Sequence, residues 1–345
     1  MQGTAKPKGL AKIWREIKRP FRLYVPDNVK TKTQNCDRQY HSEWYHYLDD
    51  ERLYSCPPPE EQKNLFAKYV NFIEIEIFSF CNRRCWFCPN SYIDRHSQNI
   101  FMPEEMYTKI IDELADIRYS GKIWYSRYNE PFSDRIVLDR LREARHKLPN
   151  ATLHSYTNGD YITRQYVDEL AAAGLSDLHI MRYPLNKKDE EYNEKQQREI
   201  LTSYAEKLGL PFEHRLDVAL NIIHPSMTID ILGQNPNLHF GNRADTIMIS
   251  TKPHRRTAPC HNPFTNMYID HNGSVMPCCN VRSDVQQHAE MVMGNVAEKT
   301  VFEIYANQRY CLFRYQLRDV GVKIYPCNVC DNYGYTFSRP APRKP

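Results

Sequence analysis

The chain has 345 residues, 41% of them hydrophobic, which is enough for one sizeable core and a second, smaller packed region. Its 46 basic and 42 acidic residues leave a net charge of +4, and because the basic residues are spread out except near the two ends, nucleic-acid binding is disfavoured. No apolar run approaches the roughly 20 residues of a membrane span, and the polar start lacks the apolar core of a secretory signal. We therefore expect a cytoplasmic protein with no membrane partner.

The chain contains 11 cysteines, an odd number, and most of them fall into three short stretches at 81–88, 260–279 and 327–330. In a cytoplasmic protein, cysteines grouped in this way indicate metal or cluster ligands rather than disulfides. We interpret the isolated Cys36, Cys56 and Cys311 as structural.

The first 68 residues show neither helical nor strand periodicity. They contain a basic start, a tyrosine-rich stretch and a proline break at 57–59. We interpret 1–68 as an extension that wraps the main domain. A peptide-recognition module of the winged-helix type would need helix and strand signals, and this stretch lacks them.

Strand-like and helix-like segments alternate from residue 71 to about 248. The predicted helices are 103–117 with Pro103 at the first helical position, 134–148 with Asp134 as N-cap, 163–173 ended by Gly174, and a long charged helix within 187–208. The predicted strands are 72–78, 122–126, 152–156, 177–181 and 213–223. Strands that alternate with helices argue for an α/β fold with a parallel sheet built from βα units.

Chemistry-bearing residues follow three of these strands. The cysteine run 81–88 comes after the first strand, Asn129-Glu130-Pro131 after the second, and Thr157-Asn158-Gly159 after the third. Because active sites of such folds form at the carboxyl ends of the strands, we expect these loops to meet there.

The first cysteine run, Cys81, Cys85 and Cys88, has the spacing C-x3-C-x2-C. Three thiolates are one ligand too few for a closed four-coordinate site, so a metal or cluster held there keeps one position open. A zinc site or three unligated thiols are the alternatives. Zinc would ordinarily recruit a fourth cysteine or histidine, but none lies between Cys88 and His96.

This run resembles the motif of the radical S-adenosylmethionine (SAM) superfamily, C-x3-C-x-Φ-C, with Phe87 as the aromatic residue Φ. The resemblance implies a partial (β/α)6 barrel of parallel strands. It also implies a [4Fe-4S] cluster on Cys81, Cys85 and Cys88, whose open iron chelates SAM. Reductive cleavage of SAM would then give a 5′-deoxyadenosyl radical that abstracts a hydrogen atom from substrate.

The resemblance extends to residues that would contact SAM. Segment 126–132 is similar to the family's glycine-glycine-glutamate-proline segment, with Tyr128 and Asn129 in place of the glycines, and implies that Glu130 accepts from the SAM amino group. The Asn158 turn is similar to one near the SAM ribose and carboxylate in the family, although Asn-Gly is also a common turn pair. Arg182 could pair with the SAM carboxylate, with a substrate, or in an ordinary surface salt bridge.

The second cysteine set comprises Cys260, Cys278, Cys327 and Cys330. It resembles the auxiliary-cluster (SPASM) domain of radical SAM enzymes, whose opening pattern C-x9-15-G-x4-C fits Cys260, Gly273 and Cys278. Since no cysteine follows Cys330, the set matches the shortened (twitch) form with one auxiliary [4Fe-4S] cluster on these four residues. Cys279 is the alternative to Cys278, and a structural zinc site is the alternative to the cluster.

These patterns divide the chain into four parts: an extension at 1–68, a radical SAM partial barrel at 69–250, an auxiliary-cluster domain at 251–336 and a tail at 337–345. The resemblance covers about residues 70–335.

A fully ligated second cluster cannot bind substrate without losing a ligand, so we expect it to transfer electrons. Alcohol oxidation through a substrate radical requires the removal of a second electron. By resemblance, the leading hypothesis is a radical SAM oxidoreductase or epimerase that acts on a small polar substrate, a sugar-like or aminocyclitol-like intermediate of natural-product biosynthesis. An external one-electron donor such as flavodoxin or ferredoxin would be its protein partner.

Two other hypotheses remain open. The chain could be a maturase that crosslinks or epimerises a ribosomally made peptide, or a non-catalytic iron-sulfur or zinc protein. No residue is assigned as the catalytic acid or base, because alternation turns half of each strand away from the cavity. The candidates near the strand ends are His154, Arg182, His214, Arg215 and Asp217.

Overall fold

The computed structural model describes residues 46–184, 192–216, 218–235, 240–248 and 255–332. The predicted tail at 337–345, the start of the N-terminal extension and Asp217 lie outside these ranges. Within the described part of the chain, no helix has the length and apolar character needed to cross a membrane.

The end of the N-terminal extension is helical, which the sequence pattern did not reveal. After short 3-10 turns at His46–Asp49 and Glu51–Leu53, helix α1 spans Pro59–Tyr69, with a proline in its first turn. Its apolar stripe contains only Leu65, Phe66 and Tyr69, too few for a clear period. The Phe66 ring packs edge-on against Phe302 and Tyr305 near the carboxyl end of the chain.

The helices predicted between residues 100 and 210 are confirmed. They are α2 (Glu104–Asp116), α3 (Ile136–Lys147), α4 (Arg164–Ala172) and α5 (Glu194–Leu208). Thr163 is the N-cap of α4 and accepts with its side-chain oxygen from a backbone N–H of the first turn. The N-cap of α3 is Arg135 and not the predicted Asp134, whose side chain accepts from the Ile136 backbone N–H at 2.9 Å. Pro103 is the N-cap of α2 and not its first residue. Among the described residues, the remaining helices are α6 (Asn262–Thr265), α7 (Val301–Tyr305) and α8 (Gln308–Leu317).

A single mixed sheet forms the centre of the described chain. Its strands are β1 (Phe72–Ile75), β2 (Lys122–Trp124), β3 (Thr152–Thr157), β4 (Asp177–Arg182), β5 (Phe212–Leu216), β6 (Ala219–Ile222), β7 (Thr228–Gly233), β8 (Asn266–Ile269), β9 (Ser274–Met276) and β10 (Gly294–Asn295). Their order is β10-β9-β8-β1-β2-β3-β4-β7-β6-β5, and the run from β8 to β7 is parallel. The predicted α/β class with a mostly parallel sheet is confirmed; the sheet is not closed.

One strand prediction is wrong. The segment predicted as a single strand at 213–223 forms an antiparallel hairpin, β5 and β6, at the edge of the sheet. The parallel neighbour of β4 is β7, which the sequence did not predict. The chain reverses between Leu216 and Ala219 without a glycine or proline, so the hydrophobic alternation runs through the turn without a visible break.

The segment around Gly273 forms an antiparallel hairpin of β8 and β9. Strand β8 also pairs in parallel with β1, from Phe72 opposite Asn266 to Ile75 opposite Ile269. The C-terminal region therefore extends the same sheet that carries the cysteine loop after β1.

The two faces of the sheet differ in chemistry. Ile73, Ile123, Leu153, Leu178 and Ile229 are fully buried on the apolar face. The other face carries polar and aromatic side chains in register, among them Glu74 beside Trp124 and Trp124 beside His154. The residues of this polar face lie on the same strands whose carboxyl ends carry the cysteine loop, the loop of Glu130 and the turn of Asn158.

We predict that Gly273→Ala is more destabilising than Gly209→Ala. Both glycines have left-handed φ angles, +81° and +63°, which cost an alanine about 1 kcal/mol. A Cβ at Gly273 would also lie 2.7 Å from Asn295 Oδ1 and 2.7 Å from Met106 Sδ, whereas at Gly209 nothing lies within 4 Å. Gly273→Ala should therefore lower the free energy of unfolding by about 2–4 kcal/mol, measured by urea denaturation; equal losses in both variants would contradict the steric argument.

Candidate active site

The cysteine loop after β1 brings the first three thiols together. Cys88 N donates to the Cys85 carbonyl at 3.0 Å, and Cys81 N donates to the Arg95 carbonyl at 3.2 Å. Burial raises the pKa of the Cys81 thiol to about 12 and that of Cys85 to about 11, with a further contribution from Cys88 in both cases. These thiols would be protonated without a cation, so a bound metal is needed to hold them as thiolates.

The cysteine loop is fixed to the turn after β3. Arg83 pairs with Asp160, its Nε donating at 2.7 Å, and Asn82 donates to the same carboxylate at 2.8 Å. Asn158 Nδ2 donates to Asn82 Oδ1 at 2.8 Å. The structure thus brings together the predicted site residue Asn158 and the cysteine run.

Glu130 lies buried between the second and third loops. Its carboxylate accepts from Thr157 Oγ1 at 2.6 Å, from Asn158 N at 2.8 Å and from Phe132 N at 3.3 Å. Burial nevertheless raises its pKa to about 7. Glu130 also lies close enough to Cys81 to raise the pKa of that thiol. It is a carboxylate beside the cysteine loop that a cationic ligand would stabilise.

The other predicted contacts surround the same space. Asn129 Oδ1 accepts from Arg127 N at 3.1 Å, while its buried Nδ2 has no partner among the described residues. Arg182 donates to the Asn158 carbonyl at 3.5 Å and lies 4.9 Å from the Tyr204 ring centroid. The Phe87 ring stacks on Phe240 with centroids 4.7 Å apart.

The second cysteine set is assembled around α8 and the 3-10 turn Cys327–Val329. Cys260 N donates to the Leu317 carbonyl at 2.9 Å, and Cys330 N to the Cys327 carbonyl at 3.3 Å. Burial raises the pKa of Cys260 to about 11 and that of Cys327 further, while hydrogen bonding to Cys279 is the main cause that raises the pKa of Cys278. Together with burial, Cys279 raises the pKa values of Cys260, Cys278 and Cys330, so its thiol lies close to these expected ligands.

Two buried cations accompany these thiols. Arg256 NH2 donates to the Pro259 carbonyl at 3.0 Å, and Lys323 Nζ donates to the Gln316 carbonyl at 3.1 Å. Arg256 favours the thiolate forms of Cys260, Cys327 and Cys330, and Lys323 does so for Cys327. The region is therefore suited to an anionic group.

Sequence reasoning missed Arg243, whose charge interacts with thiols in both cysteine-rich regions and whose NH1 donates to Asn280 Oδ1 at 3.4 Å. Burial alone would lower its pKa, but Tyr128 and the thiols of Cys88 and Cys279 hold that pKa well above its usual value. Cys88 belongs to the first set, and Cys279 is the neighbour of Cys278 in the second set and its alternative as a ligand. Arg243 begins a left-handed turn, with φ values of 48°, 52° and 72° at Arg243, Ala244 and Asp245, all strained for non-glycine residues. No residue pattern signals such a turn.

Comparison with known protein families agrees with this geometry. The radical SAM superfamily matches residues 75–198, and the SPASM iron-sulfur cluster-binding domain matches residues 260–332. The chain is a radical SAM enzyme with a SPASM domain. Its cofactors are SAM and [4Fe-4S] clusters, as predicted.

Individual relatives of this radical SAM enzyme are more distant. The S-adenosyl-L-methionine-dependent 2-deoxy-scyllo-inosamine dehydrogenase of Niallia circulans is 24% identical over 73% of this chain and 88% of its own length. The crystal structure of BtrN in complex with AdoMet and 2-DOIA is 23% identical and covers 77% of this chain and 94% of its own, with a TM-score of 0.58. An open conformation of BtrN matches with a TM-score of 0.51 and 21% identity over the same shares.

The donor sets fit the cofactors of a radical SAM enzyme. Among the residues that the structure describes, no three His, Cys, Asp or Glu side chains converge on one point as the ligands of a single metal ion would. A cubane cluster offers each thiolate its own iron, so its ligands need not converge. The orphaned Asn129 Nδ2 and the cation-free Glu130 are groups that the carboxylate and ammonium of SAM would satisfy.

Of the acid-base candidates, His154 lies on the polar face of the sheet, opposite Trp124 and close to His179. Trp124 and His154 stack with centroids 4.2 Å apart, and the His154 and His179 rings meet edge-on at 4.5 Å. Burial lowers the pKa of His154 to about 3 and also lowers that of His179, so both are neutral at pH 7. His214 contacts Thr202 at 3.2 Å on the edge hairpin, and Arg215 is exposed.

Glu76 connects the loops that carry the site. Its carboxylate accepts from Arg95 at 3.1 Å and from Tyr128 N at 3.2 Å, and it contacts His271 Nδ1 at 2.7 Å. Burial alone would raise its pKa, but Arg95 and His271 hold that pKa well below the usual range. Glu76 is therefore ionised, and its three partners come from the cysteine loop, the loop after β2 and the β8–β9 hairpin.

We predict that Glu76→Gln is much more destabilising than Glu74→Gln. Glu76→Gln removes the charge that Arg95 and His271 face, and should lower the free energy of unfolding by about 3–5 kcal/mol. Within the described chain, Glu74 has one cation near it, Arg127 NH1 at 3.8 Å, which is beyond hydrogen-bond distance, and burial raises its pKa well above its usual value, so the fold depends less on its charge. Glu74→Gln should cost less than about 1 kcal/mol. Urea denaturation of the reconstituted protein measures both, and equal losses would contradict the assigned charges.

Proposed function

We propose that this radical SAM enzyme oxidises an alcohol carbon of a small polar ring of the aminocyclitol class. In this proposal Cys81, Cys85 and Cys88 hold the cluster that binds SAM, and Cys260, Cys278, Cys327 and Cys330 hold the auxiliary cluster. We place the boundary between the two domains at residue 250, so that 69–250 would form the radical SAM barrel and 251–336 the auxiliary-cluster domain. The family matches at 75–198 and 260–332 support this division.

Glu130, Asn129, Asn158 and Arg182 position SAM in this proposal. Glu130 would accept from the SAM ammonium, and the free Nδ2 of Asn129 would donate to an acceptor of the same ligand. When bound, the cluster and SAM supply the 5′-deoxyadenosyl radical on one-electron reduction. Phe87, whose ring stacks on Phe240, closes this side of the site against water.

The main support for this proposal is the position of Arg243. Its guanidinium interacts with the thiol of Cys88, in the first set, and with that of Cys279, next to Cys278 of the second set. A substrate bound beside Arg243 would therefore be within reach of both cofactors. Oxidation of an alcohol carbon removes a hydrogen atom, then one electron and one proton. The hydrogen atom would pass to the SAM-derived radical, the electron to the auxiliary cluster, and the hydroxyl proton to solvent. Arg243 stays protonated and would stabilise the negative charge that develops on the substrate oxygen.

The polar face of the sheet supports a substrate rich in hydroxyl groups. Within the described ranges, Trp124 Nε1, His154 Nε2 and His179 Nδ1 are buried nitrogens without a hydrogen-bond partner. Because Trp124 offers an N–H and the two histidines are neutral, they would bind neutral hydroxyl groups. The similarity to 2-deoxy-scyllo-inosamine dehydrogenase, which spans 88% of that protein, favours an aminocyclitol. The electron donor would be a flavodoxin or ferredoxin.

Deuterium transfer tests the proposal. Reduced, reconstituted enzyme is incubated with SAM and 2-deoxy-scyllo-inosamine deuterated on its ring carbons. We expect deuterium in 5′-deoxyadenosine and a product that has lost one ring deuterium and one hydroxyl hydrogen; a product in which the lost deuterium is replaced by hydrogen would indicate epimerisation. Cys85→Ala should abolish 5′-deoxyadenosine, while Cys311→Ala, a buried cysteine outside both sets, should retain it. Release of unlabelled 5′-deoxyadenosine with unchanged substrate would contradict the substrate class.

A second test concerns Arg243. Arg243→Lys keeps the charge but loses the planar fork of donors, and should lower kcat for product formation about 100-fold. Iron content should stay near about eight per chain, and 5′-deoxyadenosine should still form. Arg215→Lys, a change at an exposed arginine 3.4 Å from Asp230, is the matched control and should behave as wild type. An unchanged ratio of product to 5′-deoxyadenosine in Arg243→Lys would contradict a substrate contact.

A further inference from the structure

Tyr128 stands where the radical SAM pattern has a glycine, two positions before Glu130. Its backbone belongs to the loop after β2: its N–H donates to Glu76 at 3.2 Å, and its carbonyl accepts from Asn90 Nδ2 at 2.8 Å. Its side chain leaves that loop, and the hydroxyl donates to the Cys279 carbonyl at 2.7 Å. A glycine could make both backbone contacts but not the third.

Arg127 makes a second connection to the same region. Its NH2 donates to the Val281 carbonyl at 2.5 Å, and its Nε pairs with Asp270. Residues 127–128 therefore bind carbonyls on both sides of Asn280, whose own N–H donates to Cys278 Sγ at 3.4 Å. The loop that carries Glu130 is fixed by two hydrogen bonds to the loop that carries Cys278.

The surroundings of Tyr128 keep this connection rigid. The side chain is 6% exposed, and the guanidinium of Arg282 lies 4.3 Å from its ring centroid. Burial also raises the pKa of the hydroxyl, so it remains a donor throughout the physiological range. A displacement of one loop is therefore transmitted to the other.

We propose that Tyr128 is a positioning residue that couples the two cofactor sites, so that SAM bound at Glu130 changes the reduction potential of the auxiliary cluster. The proposal rests on the assignment of the two cysteine sets given above. The groups in the connection are the Tyr128 hydroxyl, the Cys279 carbonyl and the Asn280 N–H on the Cys278 sulfur. Hydrogen bonds to a ligand sulfur tune the reduction potential of an iron-sulfur cluster. A small shift of the 278–280 loop would therefore change the reduction potential of the auxiliary cluster.

Coupling between two sites is reciprocal. If SAM shifts the potential of the auxiliary cluster, then reduction of that cluster changes the affinity for SAM by the equivalent factor. A fivefold difference in affinity corresponds to about 40 mV for a one-electron couple. The shift in potential and the change in SAM affinity can therefore be measured independently on one protein and compared.

The test is an EPR-monitored redox titration of the reconstituted holoenzyme with and without S-adenosylhomocysteine, an analogue that is not cleaved. The auxiliary signal is first identified in a variant with Cys81, Cys85 and Cys88 replaced by alanine. In the wild type we expect the analogue to shift the auxiliary potential by about 40 mV. In Tyr128→Phe, which keeps the ring under Arg282 and loses only the hydroxyl, the shift should fall by at least half.

Tyr107→Phe is the matched control, because Tyr107 is also a buried tyrosine whose hydroxyl donates to a backbone carbonyl, that of Arg140 at 2.7 Å. It should lose thermal stability as Tyr128→Phe does, yet keep the full shift. The same shift in Tyr128→Phe as in the wild type, with both clusters loaded, would overturn the coupling. Failure of the first or second cysteine set to bind iron at all would instead overturn the proposed function.

Discussion

The carboxylate of Glu76 is the contact on which the arrangement of the site depends. It lies just beyond β1, is fully buried, and binds Arg95, the Tyr128 backbone and His271. An ionised carboxylate in such a place is stable only with cationic and N–H partners on all sides. The three loops that supply those partners are consequently held at one end of the sheet, where the cysteine loop and the loop of Glu130 meet.

The sequence predicted the elements whose signals are local. Helix α4 could be predicted because Thr163 and Gly174 mark its ends. Strand β1 could be predicted because isoleucine and glutamate alternate along it. The hairpin of β5 and β6 was not readable, because no glycine or proline interrupts the alternation. Arg243 and the Tyr128 link depend on a left-handed turn and on contacts between residues about 150 positions apart, which short-range patterns do not encode.

The two cysteine sets differ in their electrostatic surroundings, and this difference fits different tasks. The second set has the buried cations Arg256 and Lys323 close by, which compensate the charge of a fully ligated cluster. The first set faces Glu130, a buried carboxylate whose partners are N–H and O–H groups. In the proposed assignment a cationic ligand would complete the first site, whereas the four cysteines would complete the second within the protein. The charge of Arg243 interacts with thiols in both regions.

The pairing of β8 with β1 has a consequence for how the enzyme could have been assembled. Without the C-terminal region, β1 would expose its unpaired N–H and C=O groups along the strand that leads to the first cysteine, and such an edge invites pairing with other chains. A shortened ancestor or an excised barrel would need another cover for that edge. The auxiliary-cluster region therefore covers an exposed strand edge in addition to holding a cofactor. Its loss would be selected against even if electron transfer were no longer needed.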